Sequence, residues 1–158
     1  MILVADASAL IALATCDGLL WLDKLFGEVI VPDAVFQEVA FAEKPQSTRL
    51  HAYLQNKVRS VDMSQFVYLD AYADAGETQA MLLYKSTDAD FLLIDDKRGR
   101  KVAQINQIKT IGSLGVLIQA KRTGLIPQVK PYLDQIELSH IYMAKSLIHA
   151  VLAMAGEQ

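Results

Sequence analysis

Cysteine is almost absent: Cys16 stands alone among 158 residues. A single thiol excludes an internal disulfide framework and fits a reducing, cytoplasmic compartment. Uninterrupted apolar runs are short as well. None reaches the roughly 20 residues that a membrane-spanning helix needs, so no membrane role is expected. The first residues are apolar but lack a basic stretch, and Asp6 interrupts them early, so they read as a strand rather than a signal peptide. Positive charge is not in surplus, with 15 Lys and Arg against 18 Asp and Glu for a net charge of −3. That balance argues against a protein whose whole surface attracts nucleic acid, though it leaves room for a local basic edge. Other chemistry is missing too. There is no H-E-x-x-H, and His51, His140 and His149 show no zinc spacing with Cys16 and read as helix-surface residues. Gly112-Ser-Leu-Gly115 lacks the spacing and the Lys-Ser/Thr ending of a phosphate loop. Ser8 and Ser113 have no evident His partner, which leaves a serine hydrolase without support.

What is present reads as one globular domain, with 53% hydrophobic and 21% charged residues. Short apolar runs at Ile2–Ala5, Glu28–Val31, Phe91–Ile94 and Lys109–Ile111 predict strands. Helical stretches separate them. One runs from Ser8, a plausible N-cap, to about Cys16, and another from Leu19 to Phe26. Pro32 suits the first turn of a helix with Val35, Phe36 and Val39 on one face. Residues 43–49 read as a loop, and Leu50–Val58 as an amphipathic helix followed by an extended piece through Val61. Further helices are expected from Asp74, from about Lys97 to Gln104, and from Leu114 to Arg122 with Gly124 just past its end. The tail reads as helices Pro127–Leu138 and Ser139–Ala155, the latter with an apolar stripe through Ile141, Ala144, Leu147, Ile148, Val151, Leu152 and Ala155. Strands alternating with helices predict an α/β fold: a parallel sheet with helices on both faces.

Five carboxylates stand where strands give way to helices. Asp6 ends the first strand, and Asp95 and Asp96 follow Phe91–Ile94. Glu38 lies on the helix after Pro32, and Glu77 in the first turn of the helix after Asp74. Open parallel sheets place their sites at this edge, and carboxylates gathered there repel one another unless a cation joins them. Each residue also has a plainer reading. Asp6 could cap its helix, and Glu38 could be a solvated helical acid. Asp74-x-x-Glu77 has the form of a capping box. Of Asp95 and Asp96, one could bind metal while the other orients it or caps the next helix. The basic run Lys97, Arg98, Arg100 and Lys101 touches the acidic pair and could neutralise phosphates, or serve as a solvated helix face.

With these positions laid out, the chain resembles the PIN-domain nucleases, in particular the compact prokaryotic group that includes toxins of toxin–antitoxin pairs. The matching stretches are Val4–Leu13, Ile30–Val39, Ala75–Ala80, Leu92–Arg98 and Thr110–Gly115, in order along about residues 1–125. The resemblance implies a Rossmann-like PIN fold that hydrolyses RNA phosphodiesters with Mg²⁺ or Mn²⁺. It implies catalytic Asp6, Glu38, Glu77, Asp95 and Asp96, of which Asp6, Glu38, Glu77 and Asp96 would hold the metal. Many relatives carry Asp where Glu77 stands. Ser8, Lys97, Arg98, Arg100 and Lys101 are expected to contact the RNA. Residues 126–158 are expected to form a helical extension packed on the same domain, available for a homodimer or a small antitoxin protein. A non-catalytic PIN fold that binds protein or RNA is the alternative. Receiver-type phosphoaspartate chemistry lacks its later Asp after Ile111, and a dehalogenase-type phosphatase needs Asp where Ser8 stands.

Overall fold

The computed structural model describes residues 1–41, 43–64, 67 and 74–158. Its strands are β1 (Ile2–Ala5), β2 (Glu28–Pro32), β3 (Val58–Arg59), β4 (Phe91–Leu93) and β5 (Thr110–Ile111). The helices are α1 (Ala7–Thr15), α2 (Leu19–Phe26), α3 (Asp33–Ala40), α4 (Ser47–Leu54), α5 (Ala75–Ser86), α6 (Lys97–Ile105), α7 (Ser113–Arg122), α8 (Lys130–Leu138) and α9 (Lys145–Met154). All strand pairs are parallel, in the order β3-β2-β1-β4-β5. Val4 of β1 lies between Ile30 of β2 and Leu92 of β4. The chain therefore grows outward from β1 through β2 to β3, then crosses back to lay β4 against the other edge of β1. Crevices in open parallel sheets form at such a reversal, beyond the carboxyl ends of the two diverging strands. Here those ends lead into Asp6 and into Asp95-Asp96.

Alternate side chains of each strand serve opposite faces, and both faces are covered, which is why the strands read as nearly continuous apolar runs. Leu3, Ala5, Val29, Val31 and Leu93 pack under Leu10, Leu13, Leu22, Val35, Val39, Leu50 and Leu54 from α1–α4. Val4, Ile30, Leu92 and Ile94 pack on the other face against Ala80, Met81 and Leu83 of α5 and Val102 and Ala103 of α6. Truncating a fully buried leucine such as Leu92 in such a layer costs about 2–5 kcal/mol. A third cluster joins Cys16 and Leu117 to Ile126, Val129, Leu133, Ile136 and Val151, so the tail packs on the same body. Burial pushes the Cys16 thiol up to about 12, so it is inert as a nucleophile. Among the described residues no helix is long and apolar enough to cross a membrane.

Several boundaries differ from the sequence reading. Asp6, not Ser8, occupies the N-cap position of α1, with extended backbone at φ −100° and ψ 166°, and Ser8 is exposed inside the helix. α4 starts at Ser47, within the stretch expected to be a loop, because the turn at Lys44–Ser47 with Gln46 at φ 63° ends there. It stops at Leu54 rather than Val58, since the Lys57 carbonyl accepts the Val31 N–H and draws Val58 into β3. α8 starts at Lys130 rather than Pro127, with Pro131 in the first turn, where its missing N–H costs nothing. α9 starts at Lys145 rather than Ser139. Ser139 Oγ accepts the Ile141 N–H at 3.1 Å and holds that segment in a turn. Gly124 follows α7 at φ +82°, the left-handed geometry expected of it.

One long-range cap closes the tail. The Glu157 carboxylate accepts the N–H groups of Val129 at 2.7 Å and Lys130 at 3.0 Å, and the Lys121 ammonium at 2.9 Å. Burial would raise that carboxyl, but these three donors outweigh it and hold it below the usual range.

Candidate active site

Asp6 is fixed by the sheet itself. Its backbone N–H donates to the Leu93 carbonyl at 2.8 Å, tying the end of β1 to the end of β4 at the reversal point. Its side chain is 5% exposed. Burial pushes the carboxyl up to about 7, with the Ala7 N–H acting against it and the charges of Asp74, Glu77 and Glu38 adding to it.

Glu77 and Asp74 come from the start of α5. Asp74 is the N-cap and its Oδ1 accepts the Glu77 N–H at 2.7 Å, so that bond of the expected capping box is made. The Glu77 carboxylate, 5% exposed, accepts from Arg98 Nη2 at 3.2 Å on each oxygen. Burial lifts its pKa, Asp74 and Asp96 add to the lift, and Arg98 opposes it. Cap and site are therefore compatible at this position. Glu38 arrives from α3, whose first turn is tied to α5 by the Ala34 N–H donating to Gln79 Oε1 at 3.2 Å. Its Oε2 lies 3.3 Å, and Asp74 Oδ1 3.4 Å, from where a Cβ on Gly76 would sit. The two acids are thus neighbours across that glycine. Burial and Asp74 raise the Glu38 carboxyl, while Lys44 draws it down.

Asp96 is the N-cap of α6, its Oδ2 accepting the Gly99 N–H at 2.8 Å and lying 3.6 Å from Arg98 Nη2. Gly99 is required here by close approach. A Cβ would meet Ile94 Cδ1 at 2.7 Å, with Glu77 Oε1 and Asp96 Oδ2 each 3.3 Å away. Asp6, Ser8, Glu38, Asp74, Glu77, Asp96 and Arg98 line one cleft of about 280 Å³. Four of the five expected acids meet in it. The fifth acid of the cleft is Asp74, which the sequence reading used only as a cap; its position three residues before Glu77, at the same helix start, was the available signal.

Asp95, expected among the catalytic acids, does not line this cleft. Its Oδ1 accepts the Ser113 N–H and its Oδ2 the Ser113 Oγ–H, each at 2.7 Å, which pins the end of β4 to the start of α7. Neighbouring residues in extended chain point opposite ways, so of this pair only Asp96 reaches the other acids. The basic run divides likewise. Arg98 enters the cleft, Arg100 joins Asp95 along a second cavity of about 550 Å³, and Lys97 and Lys101 are exposed. Ser8 lies in the walls of both.

The groups in the cleft that could bind a metal are oxygens, five carboxylates and the Ser8 hydroxyl, the set that suits hard Mg²⁺ or Mn²⁺. Among the described residues no three acids are placed to hold a metal together. Arg98 instead supplies positive charge beside Glu77 and Asp96. The donor chemistry fits a divalent cation, and closing on one requires these side chains to shift.

A family model of the PIN domain matches residues 2–157. No curated protein and no solved structure matches the chain. The family match runs through β1–β5 and on across α8 and α9, and it takes in every residue of the acidic cleft. This chain belongs to the PIN-domain family.

Proposed function

We propose that the protein is a metal-dependent endoribonuclease and the toxin of a toxin–antitoxin pair. The observation that carries the reading is the gathering of Asp6, Glu38, Asp74, Glu77 and Asp96 in one cleft at the reversal point of a parallel sheet. Five acids facing one guanidinium leave an excess of negative charge that a divalent cation would neutralise. Asp6, Glu38, Glu77 and Asp96 are the residues that would hold Mg²⁺ or Mn²⁺. Such an ion, when bound, supplies an acidified water and charge stabilisation on the phosphate. Asp6 carries its proton to about pH 7 in the free protein and must release it to act as a ligand. Asp74 holds Glu77 at its helix start. Arg98, with a fork that suits phosphate as well as carboxylate, can exchange Glu77 and Asp96 for the RNA backbone. Lys97 and Lys101 would neutralise flanking phosphates.

An active ribonuclease in the cytoplasm needs restraint. A small antitoxin offering Arg or Lys to the acidic cleft and carboxylates to its basic rim would provide it. The α9 face, with Leu147 45% and Met154 62% exposed, is the surface we assign to a homodimer. The test is a Mn²⁺-dependent cleavage assay on mixed cellular RNA with wild type and Asp6→Asn. Cleavage by wild type alone is expected, and equal cleavage by both would end the reading. Growth arrest by this chain, relieved by co-expressing the neighbouring gene product, tests the toxin role.

The hold of Arg98 on both Glu77 oxygens favours one other reading, a non-catalytic PIN fold that binds protein or RNA. Absence of Mn²⁺ binding in a titration of the wild-type chain would favour it.

A further inference from the structure

The acidic cleft carries a cation of its own, and the way it is held bears on how metal and RNA enter. Arg98 Nη2 donates to both Glu77 oxygens at 3.2 Å and lies 3.6 Å from Asp96 Oδ2. It therefore spans two of the four acids proposed to hold the metal. Those two acids are neighbours across Gly99, since Glu77 Oε1 and Asp96 Oδ2 each lie 3.3 Å from where a Cβ on that glycine would sit. The chain keeps Arg98 beside them. Asp96 caps α6 by accepting the Gly99 N–H at 2.8 Å, and Arg98 is the second residue of that helix.

The partners differ in access. Glu77 is buried, whereas the Arg98 side chain is 38% exposed. An anion from solvent can reach the guanidinium. A cation seeking Glu77 finds both of its oxygens already bonded to Arg98, and like charges that share one buried carboxylate repel more strongly than they would in water. Glu77 and Asp96 must turn from Arg98, or Arg98 from them, before they can close on an ion. A phosphate is the other partner that the planar fork of a guanidinium fits with two bonds. The RNA backbone, arriving at this cleft, brings that phosphate.

We infer that Arg98 couples the two binding events: it opposes a divalent ion while it holds Glu77 and Asp96, and an RNA phosphate that takes its fork releases them, so that substrate and metal each tighten the other. This coupling rests on the ribonuclease reading of the cleft, and its test reads binding rather than cleavage. Mn²⁺ is titrated into the protein and the free ion measured by electron paramagnetic resonance. Titrations are run alone and with a short single-stranded oligoribonucleotide whose phosphorothioate linkages resist cleavage. Wild type should bind Mn²⁺ about 5- to 150-fold more tightly with the oligonucleotide, which should gain by the same factor from Mn²⁺. Arg98→Ala should bind Mn²⁺ alone more tightly than wild type does, and the oligonucleotide should then add much less. Arg98→Gln should behave in the same way and serves where the alanine variant fails to fold. Arg100→Ala controls for plain charge. It removes an equal charge two residues on, from a side chain that lines the other cavity, and should leave Mn²⁺ affinity nearly unchanged. Three results would overturn the coupling: no gain in Mn²⁺ affinity in a folded Arg98 variant, an equal gain in Arg100→Ala, or the same oligonucleotide effect with and without Arg98. RNA cleavage by the wild-type chain, run in parallel, decides the nuclease reading separately. Cleavage with Mn²⁺ affinity indifferent to Arg98 removes the coupling alone. Arg98-dependent coupling without cleavage removes the nuclease alone.

Discussion

Replacing Asp6 with Asn should make the metal-free protein more stable, and only above mildly acidic pH. Folding holds the Asp6 carboxyl at about 7 against an ordinary value of 3.8. Below pH 3.8 both folded and unfolded chains keep the proton, and Asp6 imposes no penalty. Between there and pH 7 the unfolded chain gives the proton up while the folded chain retains it. Stability then falls by about 1.4 kcal/mol per pH unit and levels off above pH 7. The gap of about three pH units sets the full loss at about 4 kcal/mol. An amide has no proton to lose, so Asp6→Asn escapes this decline. Part of the gain is spent on leaving its amide hydrogens buried without designed acceptors, and a net gain of about 1–3 kcal/mol at pH 8 is expected. Urea unfolding of both chains between about pH 4 and pH 8 in EDTA measures it. At the acid end only the amide cost remains, so the wild type should lie above by about 1–3 kcal/mol there, and the order should reverse as pH rises. Curves that stay parallel across the range, or keep the wild type on top at the alkaline end, would refute the account of Asp6 as a carboxylate confined with other acids. Excess Mg²⁺ should narrow the separation, because only the wild type gains from the ion at this position.

Three further outcomes follow from the cleft. Glu77→Gln should abolish Mn²⁺-dependent cleavage at nearly unchanged thermal stability, because the Asp74 cap bonds the backbone N–H of residue 77 rather than its side chain; activity retained by Gln but stability lost by Glu77→Ala would assign Glu77 to structure. Asp95→Ala should cost about 1–2 kcal/mol in urea unfolding through the lost Ser113 bonds, while cleavage falls far less than in Asp96→Asn; equal loss of cleavage in both would return Asp95 to the site. Gly99→Ala should destabilise by about 1–3 kcal/mol through the contact with Ile94 Cδ1, measured by thermal melting, and a neutral change would show that α6 can slide away from α5.

Much of this was legible in the sequence because strand ends and helix starts leave local marks. The run Leu3-Val4-Ala5 into Asp6 located both β1 and its acid, and Asp74-x-x-Glu77 located the start of α5. For Asp95 and Asp96 the resemblance gives the metal to Asp96 but keeps Asp95 among the catalytic acids, because the anchoring of Asp95 depends on Ser113, 18 residues away. Asp74 was hidden by its own capping role: a helix N-cap and a cleft acid have the same sequence signature. The start of α4 depended on the backbone of Gln46, a non-glycine at positive φ, which no local pattern announces. The start of α9 depended on a hydroxyl, Ser139 Oγ, taking an N–H that a longer helix would have used.

The bond between Asp95 and Asp96 has a mechanical meaning. One side chain of the pair borders the larger cavity, the other borders the acidic cleft, and a single planar peptide joins the two. A molecule wedged against Asp95 and Ser113 would press on that plane and tilt Asp96 on the far side, although it touched none of the carboxylates in the cleft. The sign of that transmission would be a compound that changes the affinity for Mn²⁺ in proportion to its occupancy of the larger cavity, and that loses its influence when Ser113→Ala loosens the anchor.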